Sequence, residues 1–458
     1  MPVQYAGEYK LLECKIMSST GAVARLDDKV ISFQIYENIF SQSLVASLTI
    51  VDNLNLTMSL PIVGQEFVSL RIETPDIGEI NFTDSVFAVT SVKVRQDVSN
   101  DTQIYDLNLV STESLRNART RISKSYSGSI SETVVSILRD ESLIDTNKDV
   151  FVDPTNGSRK FVAANSRPYR FIRNITREAV SEVHGGSPHY YFYENCKGFQ
   201  FRCLDGLYKS PSKGTFVADS ESLSDTKNGD NIERDYRRII SFAISRTNDT
   251  LITSMGGMLG SNLIKYNIFN KNYQKYDFNY FNNFNKHGRI DKNPIYNNTS
   301  IDRRSNTMGD FSSSRIHLHP TSNNGTYDTQ FYDKDVGYNH TDNSVEQWLQ
   351  SSKSKNLEIS SGLSVQIKVH GYSELAVGDM VNLEFPITGT DHNDEQIDTI
   401  YNGNFLITQL KHTFDQSERQ HRILMSCVKD STPFKFKNSK SSEEPRGKGG
   451  KNYVPSYN

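Results

Sequence analysis

The chain is predicted to be mainly β with small α/β parts: two similar β-barrels, with intervening and inserted domains between them. Three observations predict this. A strand and turn pattern occurs near both ends, the spacing within the two copies agrees, and alternating apolar strands precede each copy. The first copy runs Val63-Gly64-Gln65-Glu66-Phe67, Phe87-Ala88-Val89-Thr90-Ser91-Val92 and Tyr105-Asp106-Leu107-Asn108-Leu109. The second runs Val377-Gly378-Asp379-Met380, Phe405-Leu406-Ile407-Thr408-Gln409-Leu410 and Arg422-Ile423-Leu424-Met425-Ser426. Each begins with a glycine turn and an acidic residue, where glycine tolerates positive φ. Each continues to Phe-x-aliphatic-Thr-x-aliphatic. Gly64 precedes Phe87 by 23 residues and Gly378 precedes Phe405 by 27, the surplus lying in a polar loop. Leu44, Ala46, Leu48 and Ile50 before one copy, and Leu363, Val365, Ile367 and Val369 before the other, have the period of a strand with one apolar face.

Residues 1–118 form the first barrel, with strands expected at 10–17, 30–37, 43–51, 65–74, 86–94 and 103–111. Pro61 and Pro75 mark boundaries within it, and Asn100-Asp101 turns a hairpin. Residues 119–230 read as a small α/β domain. Ser129-Ile130-Ser131-Glu132 is a capping box opening a helix through Asp140. A second helix starts near Pro168, with Phe171, Ile172 and Ile175 on its buried side. Tyr190-Tyr191-Phe192-Tyr193 and Phe199-Gln200-Phe201-Arg202 flank a turn and read as a hairpin. Residues 210–232 read as a linker.

The second barrel is assembled from 231–260 together with 355–430, its first strand containing Ile239, Ile240, Phe242 and Ile244. Between them, 261–354 is an insertion rich in Asn and Tyr. Strands are expected there at 262–270 and 273–281, followed by long loops and, from Asn343-Ser344-Val345-Glu346, a short capped helix. Residues 431–458 form a flexible basic tail.

Composition limits function. The chain has 458 residues, enough for several cores, with 36% hydrophobic and 23% charged residues and a net charge of -3, which exerts no global pull on nucleic acid. Four scattered cysteines do not make a disulfide scaffold. Neither an export signal nor a membrane-spanning run is expected.

Little points to catalysis or cofactors. His184, His189, Cys196 and Cys203 suggest zinc by type, but the hairpin puts Cys196 in the turn and Cys203 down the returning strand, opposite about Tyr190, too far apart to share one metal. His317 and His319 read as surface residues. Gly185-Gly186 and Gly256-Gly257 lack the spacing of a phosphate loop. Glu132, Glu178 and Asp205 are conceivable hydrolytic carboxylates, with helix capping and solvation the cheaper explanation. Arg170, Arg173 and Arg177 form a basic helical stripe, most simply a solvated face. The expectation is a protein that is not an enzyme, without catalytic, cofactor-binding or metal residues.

In its order of motifs the chain resembles the central baseplate hub subunit of contractile-tailed, T-even-like bacteriophages, particularly their cyanophage branch. The resemblance is carried by Leu60-Pro61-Ile62-Val63-Gly64-Gln65-Glu66, the Phe171-to-Ile175 helix leading into Tyr190-Tyr191-Phe192-Tyr193-Glu194, Ser344-Val345-Glu346-Gln347-Trp348-Leu349, and Val377-Gly378-Asp379 with the final hairpin. It implies that the barrels are of the tail-tube type. It also implies a homotrimer forming a pseudo-sixfold ring between a sixfold tail tube and a trimeric cell-puncturing spike, with a lumen for DNA. The implied partners are self, the spike, tube or tube-initiator proteins, the tape-measure protein and surrounding baseplate proteins. The implied location is the virion, at the centre of the tail baseplate after assembly in the host cytoplasm.

Candidate edges for ring contacts are 86–94 with 103–111 and 404–411 with 421–428, giving Phe87, Val89, Leu107, Leu109, Phe405, Ile407, Ile423 and Met425 as interface residues, with Glu66 and Asp379 as tube or ring contacts. Such a trimer would bury about 2,000 Å² or more per interface. Two other readings are a glycan-binding or glycan-hydrolysing tail protein and the hub of a related contractile injection system. The latter usually fuses hub and spike, and no β-helical continuation follows here.

Overall fold

The computed structural model describes residues 5–53, 60, 62–75, 77–99, 102–218, 234–246, 249–267, 271–298, 304–321, 345–385 and 401–433. The chain begins with seven strands: β1 (Lys10–Met17), β2 (Val23–Arg25), β3 (Val30–Asn38), β4 (Val45–Asp52), β5 (Phe67–Thr74), β6 (Gly78–Ser99) and β7 (Thr102–Ser111). Alternate residues of β3, β4, β5 and β7 are buried, as period 2 requires of strands lying on one core.

The next stretch contains β8 (Ile122–Gly128), β9 (Val150–Val152), β10 (Arg159–Ser166), β11 (Tyr190–Asn195) and β12 (Gly198–Cys203), with helices Ile130–Arg139 and Pro168–Thr176. The expected capping box is present: Ser129 Oγ accepts from Glu132 N, and the Glu132 carboxylate accepts from Ser129 N. β11 and β12 form the expected hairpin, with Tyr190 opposite Cys203. The helices cover it through Ile130, Val134, Phe171 and Ile172.

Within the stretch expected to be a linker lies another strand, β13 (Ser212–Val217), parallel to a strand far along the chain. Its pattern was not legible because only Phe216 in it is fully buried. β14 (Ile239–Arg246) follows. The insertion supplies β15 (Gly260–Asn267), β16 (Asn272–Asn279), β17 (Asn293–Pro294) and β18 (Ile316–Thr321). β15 pairs antiparallel with β16, and also parallel with β18 in a stretch expected to be loop.

The helix expected to be short runs on through a π-helical turn at Gln347–Ser352 into an α-helix at Lys353–Ser361. Asn343, Ser344 and residues 434–458 of the expected tail lie outside the described residues, whereas Ser431 and Thr432, expected to be flexible, are buried and pair with Pro294 and Asn293 of the insertion. The chain ends with β19 (Leu363–His370), β20 (Met380–Glu384), β21 (Gly403–Asp415), β22 (Gln420–Lys429) and β23 (Ser431–Thr432).

The fold is mainly β, with two similar barrel units. One unit has the strand order β3-β4-β7-β6-β5-β1 and the other β14-β19-β22-β21-β20-β13. Each encloses its own core, the first around Phe33, Phe87 and Leu107, the second around Ile367, Phe405 and Met425. The two are hydrogen-bonded into one 13-stranded sheet by β3 against β21.

This order corrects the expected edges. β7, β21 and β22 have strand neighbours on both sides, whereas β6 pairs with β5 over Gly78–Ala88 and with β7 from Phe87 onward. Phe87, Val89, Leu107, Leu109, Phe405, Ile407, Ile423 and Met425 are all buried within the single chain. They are core residues, since an alternating apolar face identifies a strand but not its place in the sheet.

Candidate functional site

The two units correspond residue by residue. Phe67 stands opposite Ala88 and Ala88 opposite Val110, as Met380 stands opposite Leu406 and Leu406 opposite Val428. In both units the register then slips by one residue at the threonine of the shared motif, Thr90 or Thr408. The extra residue of such a bulge bends and twists its strand. Thr90 Oγ1 donates to Asn108 O and Thr408 Oγ1 to Ser426 O, each at 3.1 Å and across the same 18-residue separation. Val89 N bonds Glu66 O, and Ile407 N bonds Asp379 O.

The first strands of the two units agree as well. Val30-Ile31-Ser32-Phe33-Gln34-Ile35 and Ile239-Ile240-Ser241-Phe242-Ala243-Ile244 are identical at four of six positions. Their pairings with β4 and β19 slip at the same place, between Val30 and Ser32 and between Ile239 and Ser241. This repeat was available in the sequence and is the signal that would have extended the duplication to the first strand of each unit.

Glu66 and Asp379 brace the equivalent turns. Gly64 and Gly378 have φ of +96° and +95°. The buried Glu66 carboxylate accepts from Val63 N, Gly64 N and Gln65 N at 2.8 to 3.0 Å. Asp379 accepts from Ala376 N at 3.0 Å and pairs with Lys197 at 2.9 Å. Glu66 is therefore removed as a tube contact, because it is fully buried and spends its acceptors on its own turn. Asp379, partly exposed, is likewise committed within the chain.

At the junction, Thr413 stands opposite Gln34 and Phe414 opposite Phe33. Phe33 and Phe414 stack at 6.2 Å. The β11–β12 turn is wedged against this seam. Glu37 on β3 accepts from Cys196 N at 2.7 Å and from Val377 N at 2.8 Å, so one carboxylate holds the hairpin turn and the second unit together. Asn195 Nδ2 donates to Val377 O. A Cβ on Gly378 would lie 2.1 Å from the Tyr193 hydroxyl, which gives that glycine a second reason to be glycine. The hairpin is also tied to the first unit: Glu194 accepts from Leu44 N and Ser111 Oγ and pairs with Lys148, which also pairs with Glu113.

Glu37, Cys196 and His412 have ligand-type atoms within 4.8 Å of one another and are the described residues that can hold a metal. Burial pushes the Glu37 carboxyl up, and burial with Glu37 nearby pushes the Cys196 thiol up, so the cluster favours uncharged forms. His412 Nδ1 lies 3.0 Å from His421 Nε2, and burial lowers both imidazoles, His412 to about 3. Both histidines are neutral at ordinary pH.

The residues considered for hydrolysis serve separate structural purposes: Glu132 caps its helix, and buried Asp205 accepts from Gly288 N at 2.6 Å. Glu178 is half-buried just beyond the Pro168–Thr176 helix. His189 packs on His287. Arg170, Arg173 and Arg177 are exposed. The insertion is anchored to the second unit by Arg289, which meets Glu358 and Asp430 in a buried cluster completed by Lys355. Among the described residues no helix is long and apolar enough to cross a membrane.

A scan against protein-family models and a search of curated proteins found no match. Solved structures do match. The tail protein from Neisseria meningitidis MC58 superposes with a TM-score of 0.51 at 11% identity, covering 92% of this chain and 97% of that one. The 43 kDa tail protein of prophage MuSo2 from Shewanella oneidensis gives 0.49 at 8% identity over 91% and 98% of the chains. Prophage tail protein gp18 from Listeria monocytogenes EGD-e gives 0.45 at 10% identity over 90% and 94%. At such identities the likeness is one of fold, and over nearly its whole length this chain shares the fold of the Neisseria tail protein.

Proposed function

We propose that the protein is the structural hub of a phage tail baseplate, a homotrimer whose six barrel units form a pseudo-sixfold ring. Such a ring presents six similar units to a sixfold tail tube while its remaining parts repeat only three times, as a trimeric spike requires. The observation that carries this reading is the duplicated sheet, with matching strand order, threonine bulges and braced turns within one chain. The whole-length fold likeness to a tail protein supports the same reading. The T-even-like and cyanophage affiliation rests on the sequence resemblance alone.

In this role the partners are other copies of the chain, the spike, tube or tube-initiator proteins, the tape-measure protein and surrounding baseplate proteins. DNA passes through the lumen without specific binding. The location is the centre of the virion baseplate, after assembly in the host cytoplasm. The role is architectural and needs neither a cofactor nor turnover.

Sedimentation and two-dimensional class averages of the purified chain, alone and with its spike, test the proposal. A three-copy particle with six similar lobes around an opening is the expected result. A particle that remains a single chain under both conditions overturns it, and hydrolysis of purified cell-wall glycan by the chain alone overturns the architectural role.

A further inference from the structure

The chain contains one junction between units and the two halves of a second. In the junction it makes, the edge of β3 lies on the C-terminal half of β21, while the N-terminal half of β21 pairs with β20. The equivalent of β3 is β14, and the equivalent of β21 is β6. β14 pairs with β19 on one side, and apart from a single bridge between Arg238, just before it, and Val217 of β13, no other described strand pairs with it. β6 uses Gly78–Ala88 against β5, whereas beyond Thr90 it pairs with β7 alone among the described strands.

The apolar exposure agrees. Phe33 and Ile35, covered by β21, are 1% and 0% exposed. Their equivalents Phe242 and Ile244 are 50% and 43% exposed. An open strand edge with such side chains is ordinarily an aggregation hazard. Here the missing cover has a known shape, because the same chain shows what covers the same sequence in its other unit.

We infer that β14 of one copy pairs antiparallel with the outer edge of β6, beyond Thr90, in a second copy, repeating between chains the β3–β21 junction made within each chain. This identifies the copy-to-copy contact of the ring proposed above and rests on that reading. The contact is head to tail, since a β14 edge meets a β6 edge, and a head-to-tail contact closes only as a ring. Three copies then alternate three internal junctions with three external ones.

The register follows from the internal junction. Gln96 faces Ile104 across β6–β7 as Thr413 faces Arg422 across β21–β22, and Ala243 faces Gln366 on β19 as Gln34 faces Ser47 on β4. Thr413 stands opposite Gln34, so Gln96 of one copy stands opposite Ala243 of the next. Facing residues of an antiparallel pair lie about 4.5–5.5 Å apart at Cα, within reach of a disulfide or a short bis-maleimide.

The test uses the full chain carrying Gln96→Cys and Ala243→Cys together, each alone, and an equimolar mixture of the two single variants, all treated with a short bis-maleimide. Covalent dimers and trimers from the double variant, dimers from the mixture, and no crosslinking beyond the unsubstituted chain from either single variant are expected. A particle that sediments as a trimer yet gives no such crosslink overturns the strand assignment and leaves the ring standing. A chain that sediments as a monomer overturns the ring itself. Ile244→Lys provides an independent arm: a charge at the half-exposed position is expected to raise the concentration for half-dissociation at least tenfold with an unchanged far-UV circular dichroism spectrum. Unchanged assembly by this folded variant also counts against the strand assignment.

Discussion

The two barrel units make a natural internal experiment, with the same strand order and the same threonine and first-strand bulges in different surroundings. Sequence similarity is strongest where the backbone must do something unusual, at the glycine turns, the threonine bulges and the first strands. It is weakest at the margins. β1 joins β5 antiparallel whereas β13 joins β20 in parallel. β3 is covered by β21, whereas among the described strands β14 pairs with β19 alone. The conserved features build each sheet, and the divergent ones determine what each unit meets.

Perturbing one unit and then its counterpart gives graded expectations. The largest effect is at the seam, where Phe414→Ala removes a buried ring stacked on Phe33. Loss of about 3–5 kcal/mol is expected in chemical denaturation, and a loss below about 1 kcal/mol would show that the seam contributes little.

Acid should next bear on the seam, because His412 and His421 of the second unit's strands are buried there, both stacked on Phe414. Burial holds the folded His412 near 3 against about 6.5 unfolded. Between those values the unfolded chain binds the proton and the folded one does not, so stability falls as pH drops from about 6.5 toward about 3. Melting temperatures across that range should decline less steeply in His412→Phe; equal slopes would remove the imidazole as the cause.

The turn carboxylates come third. Glu66→Gln disturbs a buried carboxylate that accepts from three backbone N–H groups of its turn and is expected to cost about 1.5–3 kcal/mol. Asp379→Asn, partly exposed and bonded to one, is expected to cost about 1 kcal/mol or less. Denaturant midpoints in the reverse order would break the argument that burial sets the difference.

The smallest contrast is at the bulges. Thr408 is buried and Thr90 exposed. Thr408→Val leaves the Ser426 carbonyl short of a partner, at about 1–2 kcal/mol, while Thr90→Val exchanges its bond for water at about 0.5 kcal/mol or less. Equal losses would mean that bulge geometry, rather than solvent access, determines the cost.

Much of the architecture was legible because strands on one core carry a period and turns carry glycine. β1, β7, the capping box at Ser129 and the opposition of Tyr190 to Cys203 all follow from such local rules. The site was far less legible. Phe87 and Met425 were expected at an edge and lie in the centre, since neighbour order depends on pairings between residues hundreds of positions apart. Glu37 shows no local pattern that distinguishes it from a solvated residue, yet its carboxylate joins three parts of the fold. The apolar residues from Ile239 to Ile244 predict β14, but only the repeated Ile-Ser-Phe-x-Ile letters tie it to β3, and only their pairing gives them meaning.

Carrying both sheet units on one polypeptide also fixes parity. Any closed assembly of this chain contains an even number of units in strict alternation, so a miscount by one is prevented by covalent connectivity rather than by affinity. Each member of the pair is thereby free to diverge toward its own neighbours without spoiling the spacing of the whole.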